Sequence, residues 1–155
     1  MKSVDELTEQ FRASGRKVTP QRQSIFRAVS HSTVHPTAES VYAIVSAEMP
    51  TISLRTVYQT LNDLAAMGEI QALDIGTGST RFDPNVEPHH HLVCTDCGRV
   101  VDVHGRYPGV TAPAGREADG FEVMATEIIF RGRCATCRTT HAPSPQHQGG
   151  ASAHG

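Results

Sequence analysis

The run Ser53 to Asp83, SLRTVYQTLNDLAAMGEIQALDIGTGSTRFD, decides the fold. Leu54, Val57, Leu61 and Leu64 recur at helical spacing, Ser53 stands where an N-cap belongs, and Gly68 follows the last turn. The opposite face carries Arg55, Thr56, Gln59 and Asn62, with Tyr58 at its margin. Such side chains read base edges and phosphates when a helix lies in a major groove. Taken alone, the helix also reads as having a merely solvated polar face. After Gly68 the period changes: Glu69 to Ile75 reads as a strand, Gly76-Thr77-Gly78 as a tight turn, and Ser79 to Asp83 as the returning strand. Helices followed by one hairpin give the order of a winged helix-turn-helix.

Three further helices precede this run. Val4, Leu7 and Phe11 share one face, and Gly15 stops the first helix. Thr19 and Pro20 open the second, with Ile25, Phe26 and Val29 as its buried stripe. Thr37 caps a third whose Val41, Ile44 and Val45 are expected to face inward, and Pro50 closes it. Between Glu9 and Glu39 there is no acidic residue, while Arg12, Arg16, Lys17, Arg22 and Arg27 all fall there. A local basic face on a chain of net charge -2 is a usable phosphate-binding surface.

Beyond the hairpin, Pro84 to Pro88 reads as a hinge. Leu92 to Cys94 and Val100 to Val103 read as strands flanking a turn at Gly98, and Glu127 to Phe130 as a strand arriving at Cys134. Gly105, Pro108, Gly109, Pro113, Gly115 and Gly120 argue against a long helix between them. From Thr139 onward the chain is rich in Pro, Gly, Ser, Gln and His and is expected to be disordered.

The 155 residues include nine histidines and four cysteines against only five phenylalanines, three tyrosines and no tryptophan. The chain is rich in ligands and poor in core, so metal is expected to contribute to its stability. No apolar run approaches the ~20 residues that span a bilayer, and the charged first residues do not form a signal peptide. A soluble, cytoplasmic protein without disulfides is the expectation.

Cys94-x-x-Cys97 and Cys134-x-x-Cys137 use every cysteine. One such pair would leave a redox dithiol open, whereas two pairs on one small β unit complete a tetrahedral thiolate cage for structural Zn(II). A deaminase is disfavoured, because no proline precedes either pair and no His-x-Glu occurs. In an extended chain His89 and His91 fall on one side with His90 opposite, a natural chelate. Asp83, Asp102 and His35 could complete a mixed nitrogen and oxygen site of the kind that suits Fe(II), Mn(II), Co(II) or Ni(II). Singly, His35 also reads as a loop residue and Asp102 as an exposed strand residue.

These residues carry a resemblance. Val18-Thr-Pro-Gln-Arg22, His35-Pro-Thr-Ala-Glu39, Thr56-Val-Tyr58, Arg81-Phe-Asp83, His89-His-His-Leu-Val-Cys94 and both cysteine pairs resemble the ferric uptake regulator family from residue 5 to residue 138. The resemblance implies a homodimeric winged-helix repressor whose metal-loaded form binds a palindromic double-stranded DNA operator, with no membrane partner. It is greatest to the peroxide-responsive branch, whose regulatory site maps onto His35, Asp83, His89, His91 and Asp102, with His35 and His89 as oxidation targets. Iron-sensing members usually carry Glu where Asp102 stands, and place histidines of an extra site where Pro88 and Thr126 stand. Val110 to Asp119, with Pro113 and Gly115, occupies the place of the family's amphipathic dimerisation helix.

The expected class is therefore α+β. An N-terminal winged helix-turn-helix DNA-binding domain spans 1–83, a hinge 84–88, a small α/β dimerisation domain with structural zinc 89–138, and a disordered tail 139–155. Expected DNA contacts are Arg16, Lys17, Gln21, Arg22, Ser53, Arg55, Thr56, Tyr58, Gln59 and Asn62. The expected function is repression with Fe(II) or Mn(II) as corepressor, released by peroxide through Fe(II)-catalysed oxidation of ligating histidines. The alternative is an iron-responsive repressor without peroxide sensing. An enzyme is not expected, since no nucleophile-and-base arrangement can be argued; a thiol redox enzyme and a structural zinc-ribbon module are the readings from other classes.

Overall fold

The computed structural model describes residues 1–32, 34–76 and 78–140. Its elements are α1 Val4–Ala13, α2 Pro20–Ser30, α3 Ala38–Glu48, α4 Leu54–Ala66, β1 Gln71–Leu73, β2 Arg81–Asp83, β3 His90–Cys94, β4 Val100–Val103, β5 Ile129–Gly132 and α5 Ala135–Thr140. Each of the first four helices begins where a short hydroxyl side chain can satisfy a free backbone N–H. Ser3 accepts from the Glu6 amide, Thr19 from Arg22, Thr37 from Ser40 and Ser53 from Thr56. Pro20 occupies the first turn of α2, where its missing N–H costs nothing.

The four helices and the β1–β2 hairpin enclose one core. Leu7, Phe11, Ile25, Phe26, Val29, Val41, Val57, Leu61 and Leu64 are buried there, and Phe82 enters from β2. Each such side chain contributes about 1.5–3 kcal/mol by leaving water. Ile44 corrects the expected stripe of α3, since it is 58% exposed. At 100° per residue, Ala38 and Val45 lie to one side of Val41 and Ile44 about 60° to the other. The packed side is the one carrying Ala38, Val41 and Val45, all buried.

A second, smaller core joins Leu73 and Ile75 of the hairpin segment to Val93 and Val100, with Ile129 packed against it. The hairpin therefore belongs to both cores. Its strands pair antiparallel, Ala72 opposite Phe82, over only three residues each. Beyond it stands a three-stranded sheet of order β4-β3-β5, with β3 antiparallel to β4 and parallel to β5. The parallel pair requires a long crossover, and residues 104–128 supply it with only a 3-10 turn at Gly115–Ala118. No long helix forms there, as the prolines and glycines predict. α5 runs through Thr139 and Thr140, so these first two residues of the expected disordered tail are helical. The rest of that tail, with His141, His147 and His154, lies outside the described residues.

Candidate functional site

Two ligand clusters form among the described residues. In the first, Cys94 ends β3, Cys97 follows in the turn toward β4, and Cys134 and Cys137 bracket the start of α5. Their sulfurs lie within 4.8 Å of one another, with Cys97 Sγ to Cys134 Sγ at 3.8 Å. Thiolates on a tetrahedral ion at ~2.3 Å stand about 3.8 Å apart, so the spacing fits zinc. Gly98, at φ +68°, closes the first turn by donating its N–H to the Cys94 carbonyl at 2.9 Å. The Thr95 amide donates to the Gly132 carbonyl at 2.8 Å and joins the two halves of the cage. The Cys134 amide donates to Cys94 Sγ at 3.3 Å. That bond, with others from the turn, holds the Cys94 thiol down to about 6, whereas its neighbouring thiols push Cys137 up to about 12.

The second cluster gathers His35, Asp83, His89, His91 and Asp102, whose ligand atoms also lie within 4.8 Å of one another. All are buried except Asp102, which is half-buried. His35 precedes α3, Asp83 ends β2, His89 and His91 flank His90 at the start of β3, and Asp102 lies opposite His91 on β4. Alternation along β3 points both outer histidines inward, as their spacing predicts. His35 Nε2 is 2.8 Å from Asp102 Oδ1 and 3.3 Å from Asp83 Oδ2. His89 Nε2 and His91 Nε2 are 3.0 and 3.4 Å from that same Asp83 oxygen. Donors held ~2.1 Å from one cation stand about 3–4 Å apart, which is this spacing.

Hydrogen bonding tests whether a cation suits this centre. His35 Nε2, His89 Nε2 and Asp102 Oδ1 are buried without a hydrogen-bond partner, although nitrogen and oxygen lie close. The lone pairs converge on a shared point instead of meeting each other's protons. Leaving such atoms unsatisfied costs about 1–3 kcal/mol each, and a divalent cation removes that cost. Burial pushes the Asp83 carboxyl up, but the adjacent His35 ring and the Asn85 amide outweigh it and hold it below its ordinary value. Asp83 is thus ionised, as a ligand must be.

Several supporting groups were not legible in the sequence. His89 Nδ1 contacts the Glu87 carbonyl at 2.7 Å and His91 Nδ1 contacts Glu127 Oε1 at 2.7 Å, so both rings present Nε2 to the centre. Arg81 donates to the His35 carbonyl at 3.2 Å and to the Gly98 carbonyl at 2.9 Å. It thereby bridges the histidine cluster to the cysteine turn. Arg131 reaches from β5 to the Ile75 carbonyl at 2.6 Å. The His89 contact is local, two residues back along the chain, whereas the others join segments far apart in sequence that the fold brings together.

The expected DNA-contacting residues divide. On α4, Arg55, Tyr58, Gln59 and Asn62 are exposed and Thr56 half-buried. The Tyr58 hydroxyl donates to Glu39 at 2.5 Å, which lowers the Glu39 pKa and raises that of Tyr58. Ser53 and Thr56 share a capping contact between hydroxyls at 2.9 Å. Lys17 is exposed and Gln21 half-buried. Arg16 and Arg22 instead converge on Asp63 of α4 at 3.3 and 3.0 Å, and both guanidinium groups lie over the Phe11 ring.

Comparison with known proteins places these features. The model of the ferric uptake regulator family matches residues 13–131. The peroxide-responsive repressor PerR of Staphylococcus epidermidis is 33% identical over 135 residues, covering 87% of this chain and 90% of that protein. A zinc-bound manganese uptake regulator superposes with TM-score 0.64 at 27% identity, over 86% of this chain and 99% of its own. The ferric uptake regulator of Helicobacter pylori, described with three functional metal-binding sites, superposes with TM-score 0.69 at 19% identity, over 88% and 95% of the two chains.

Proposed function

Because the chain belongs to the ferric uptake regulator family of metal-responsive regulators, we propose that it is a homodimeric repressor of a palindromic operator, released by peroxide. One observation carries the reading. The five converging ligand atoms come from the helical unit, the end of the hairpin and the three-stranded sheet. With a cation between them, these residues would hold the helices against the sheet, and with them the spacing of two α4 helices in a dimer. Moving such an equilibrium from 1:99 to 99:1 takes ~5.5 kcal/mol. That is a fraction of the ~10–16 kcal/mol with which structural zinc sites bind.

Cys94, Cys97, Cys134 and Cys137 would hold a structural Zn(II), and His35, Asp83, His89, His91 and Asp102 a regulatory Fe(II) or Mn(II). Fe(II) held there would supply the electrons that turn peroxide into an oxidant of a neighbouring imidazole, chemistry that Mn(II) does not readily supply. His35 and His89 are the proposed targets. His35 Nδ1 has no hydrogen-bond partner and His89 Nδ1 meets only a neutral carbonyl, so both rings are less firmly held than His91. Oxygen added to either ring removes a nitrogen donor. Loss of His35 would remove the ligand contributed by the helical unit, and loss of His89 would weaken the same joint.

The exposed face of α4, with Arg55, Gln59 and Asn62, would enter the major groove, and Lys17 would contact phosphate. A second copy would cover Leu92, Val101, Phe121 and Met124, which are exposed in the single chain. No helix among the described residues is long and apolar enough to cross a membrane. A zinc–thiolate cage needs reduced thiols, which suits action in the cytoplasm.

The test is operator binding with Mn(II) and with Fe(II), before and after peroxide, followed by mass analysis of peptides containing His35 and His89. Iron-dependent oxygen incorporation with loss of binding is the expected result. Unmodified peptides with binding intact would favour the second reading, an iron-responsive repressor.

A further inference from the structure

The three histidines of the regulatory cluster differ in what stands behind them. His35 Nδ1 is buried and unpartnered, His89 Nδ1 faces the neutral Glu87 carbonyl, and His91 Nδ1 faces the Glu127 carboxylate at 2.7 Å. Only His91 is therefore backed by a full negative charge. Glu127 is not one of the five converging ligands. It lies two residues before β5, and the strand pairing fixes its place, since the His91 amide donates to the Ile128 carbonyl at 3.0 Å.

We propose that Glu127 is a positioning residue of the regulatory metal centre, setting the orientation and donor strength of His91 and so the affinity of the site for a divalent cation. A carboxylate accepting the Nδ1 proton keeps the imidazole in the tautomer whose Nε2 lone pair faces the cluster. It also pushes electron density toward Nε2 and makes that nitrogen a stronger donor. With neutral histidines, Asp83 and Asp102 balance the charge of a divalent ion, and Glu127 adds a further negative charge just outside the ligands. The effect is concentrated on the β3 side of the centre.

Glu127 is also placed to respond to solvent. Its side chain is 42% exposed, against 1% for His91. It shares the wall of a cleft of about 260 Å³ with Val86, Pro88, Thr126, His89 and His91. The cleft lies beside His89 and His91, with Glu127 in its wall. Because Glu127 is half in water, replacing it leaves no buried cavity and should not unfold the sheet.

This proposal rests on the regulatory-metal reading above, and the test separates the two. Zinc-loaded wild type, Glu127→Gln and Glu127→Ala are titrated with Mn(II), and each is also loaded with Co(II) for its visible absorption spectrum. Melting curves without the second metal check the fold. Glu127→Ala should bind Mn(II) about 10–100-fold more weakly than wild type, the range for losing a ligand's hydrogen-bond partner. Glu127→Gln keeps an acceptor for the His91 proton but loses the charge, and should fall between them. The Co(II) bands of Glu127→Ala should shift, a change that a merely structural residue would not cause. Wild-type affinity and unchanged Co(II) bands in both variants would overturn the role of Glu127 alone. Failure of the wild type to take up a second metal would overturn the site reading and this proposal with it.

Discussion

Arg22 on α2 lies 3.0 Å from Asp63 on α4, with its side chain 14% exposed. Its guanidinium stands 5.3 Å from the centre of the Phe11 ring. A residue that reads in the sequence as part of a basic face is therefore a tie between α1, α2 and the proposed recognition helix. Arg22→Ala should lower stability by about 1–2 kcal/mol, since it removes a cation over a ring and leaves Asp63 with Arg16 alone. Thermal melting of the zinc-loaded protein measures this; an unchanged melting temperature would show that the tie contributes nothing.

Lys17 and Arg55 should behave differently from Arg22, because both are exposed. Lys17→Ala should weaken DNA binding almost equally for operator and random duplex and reduce the salt slope by about one. Arg55→Ala should cost about 1–3 kcal/mol on the operator and much less on random sequence. Salt-dependent titrations on both duplexes distinguish the two effects. Melting curves of both variants should match wild type.

Zinc removal should dismantle the smaller core. Among the described residues the buried apolar cluster beside the cage is small, Leu73, Ile75, Val93 and Val100 with Ile129 against them. Cys94→Ser removes one sulfur of the cage and the acceptor of the Cys134 amide. Amide exchange across β3, β4 and β5 should rise toward that of an unfolded chain, while α1 to α4 remain protected. Retained protection in a zinc-free variant would show that the sheet stands without the ion.

Arg81 couples the clusters, because one guanidinium holds the carbonyls of His35 and Gly98. Arg81→Lys keeps the charge but cannot serve both acceptors from one planar fork. It should lower Mn(II) affinity by about tenfold, comparable to losing a group that orients a ligand. It should also speed zinc loss to a chelator. Titration and chelator kinetics on the same preparation show whether the two sites weaken together, and a change in only one would sink the coupling.

His35→Ala should reduce uptake of the second metal by about 100-fold or more, beyond the usual cost of a lost supporting partner. His104 is the matched control, because its ring stacks 5.6 Å from that of His89 but lies outside the converging set. His104→Ala should leave Mn(II) binding near that of wild type.

Local chemistry made much of this protein legible from its residues. Ser3, Thr19, Thr37 and Ser53 are caps because a helix start needs an acceptor for its free N–H groups, whatever the rest of the chain does. The two Cys-x-x-Cys pairs and the alternation of His89 and His91 are equally local, and the motif order identified the family. Ile44 departs from the expected stripe because helical spacing defines a stripe without saying which edge of it neighbouring helices will cover. The pairing of Arg22 with Asp63, the bridge made by Arg81 and the backing of His91 by Glu127 depend on segments 41, 17 and 36 residues apart. Sequence determined which residues could bind metal or begin an element. Tertiary structure decided which charges were already spent on each other and which lone pairs met at one point, because those outcomes follow from distance in space, and strand register and helix packing set that distance.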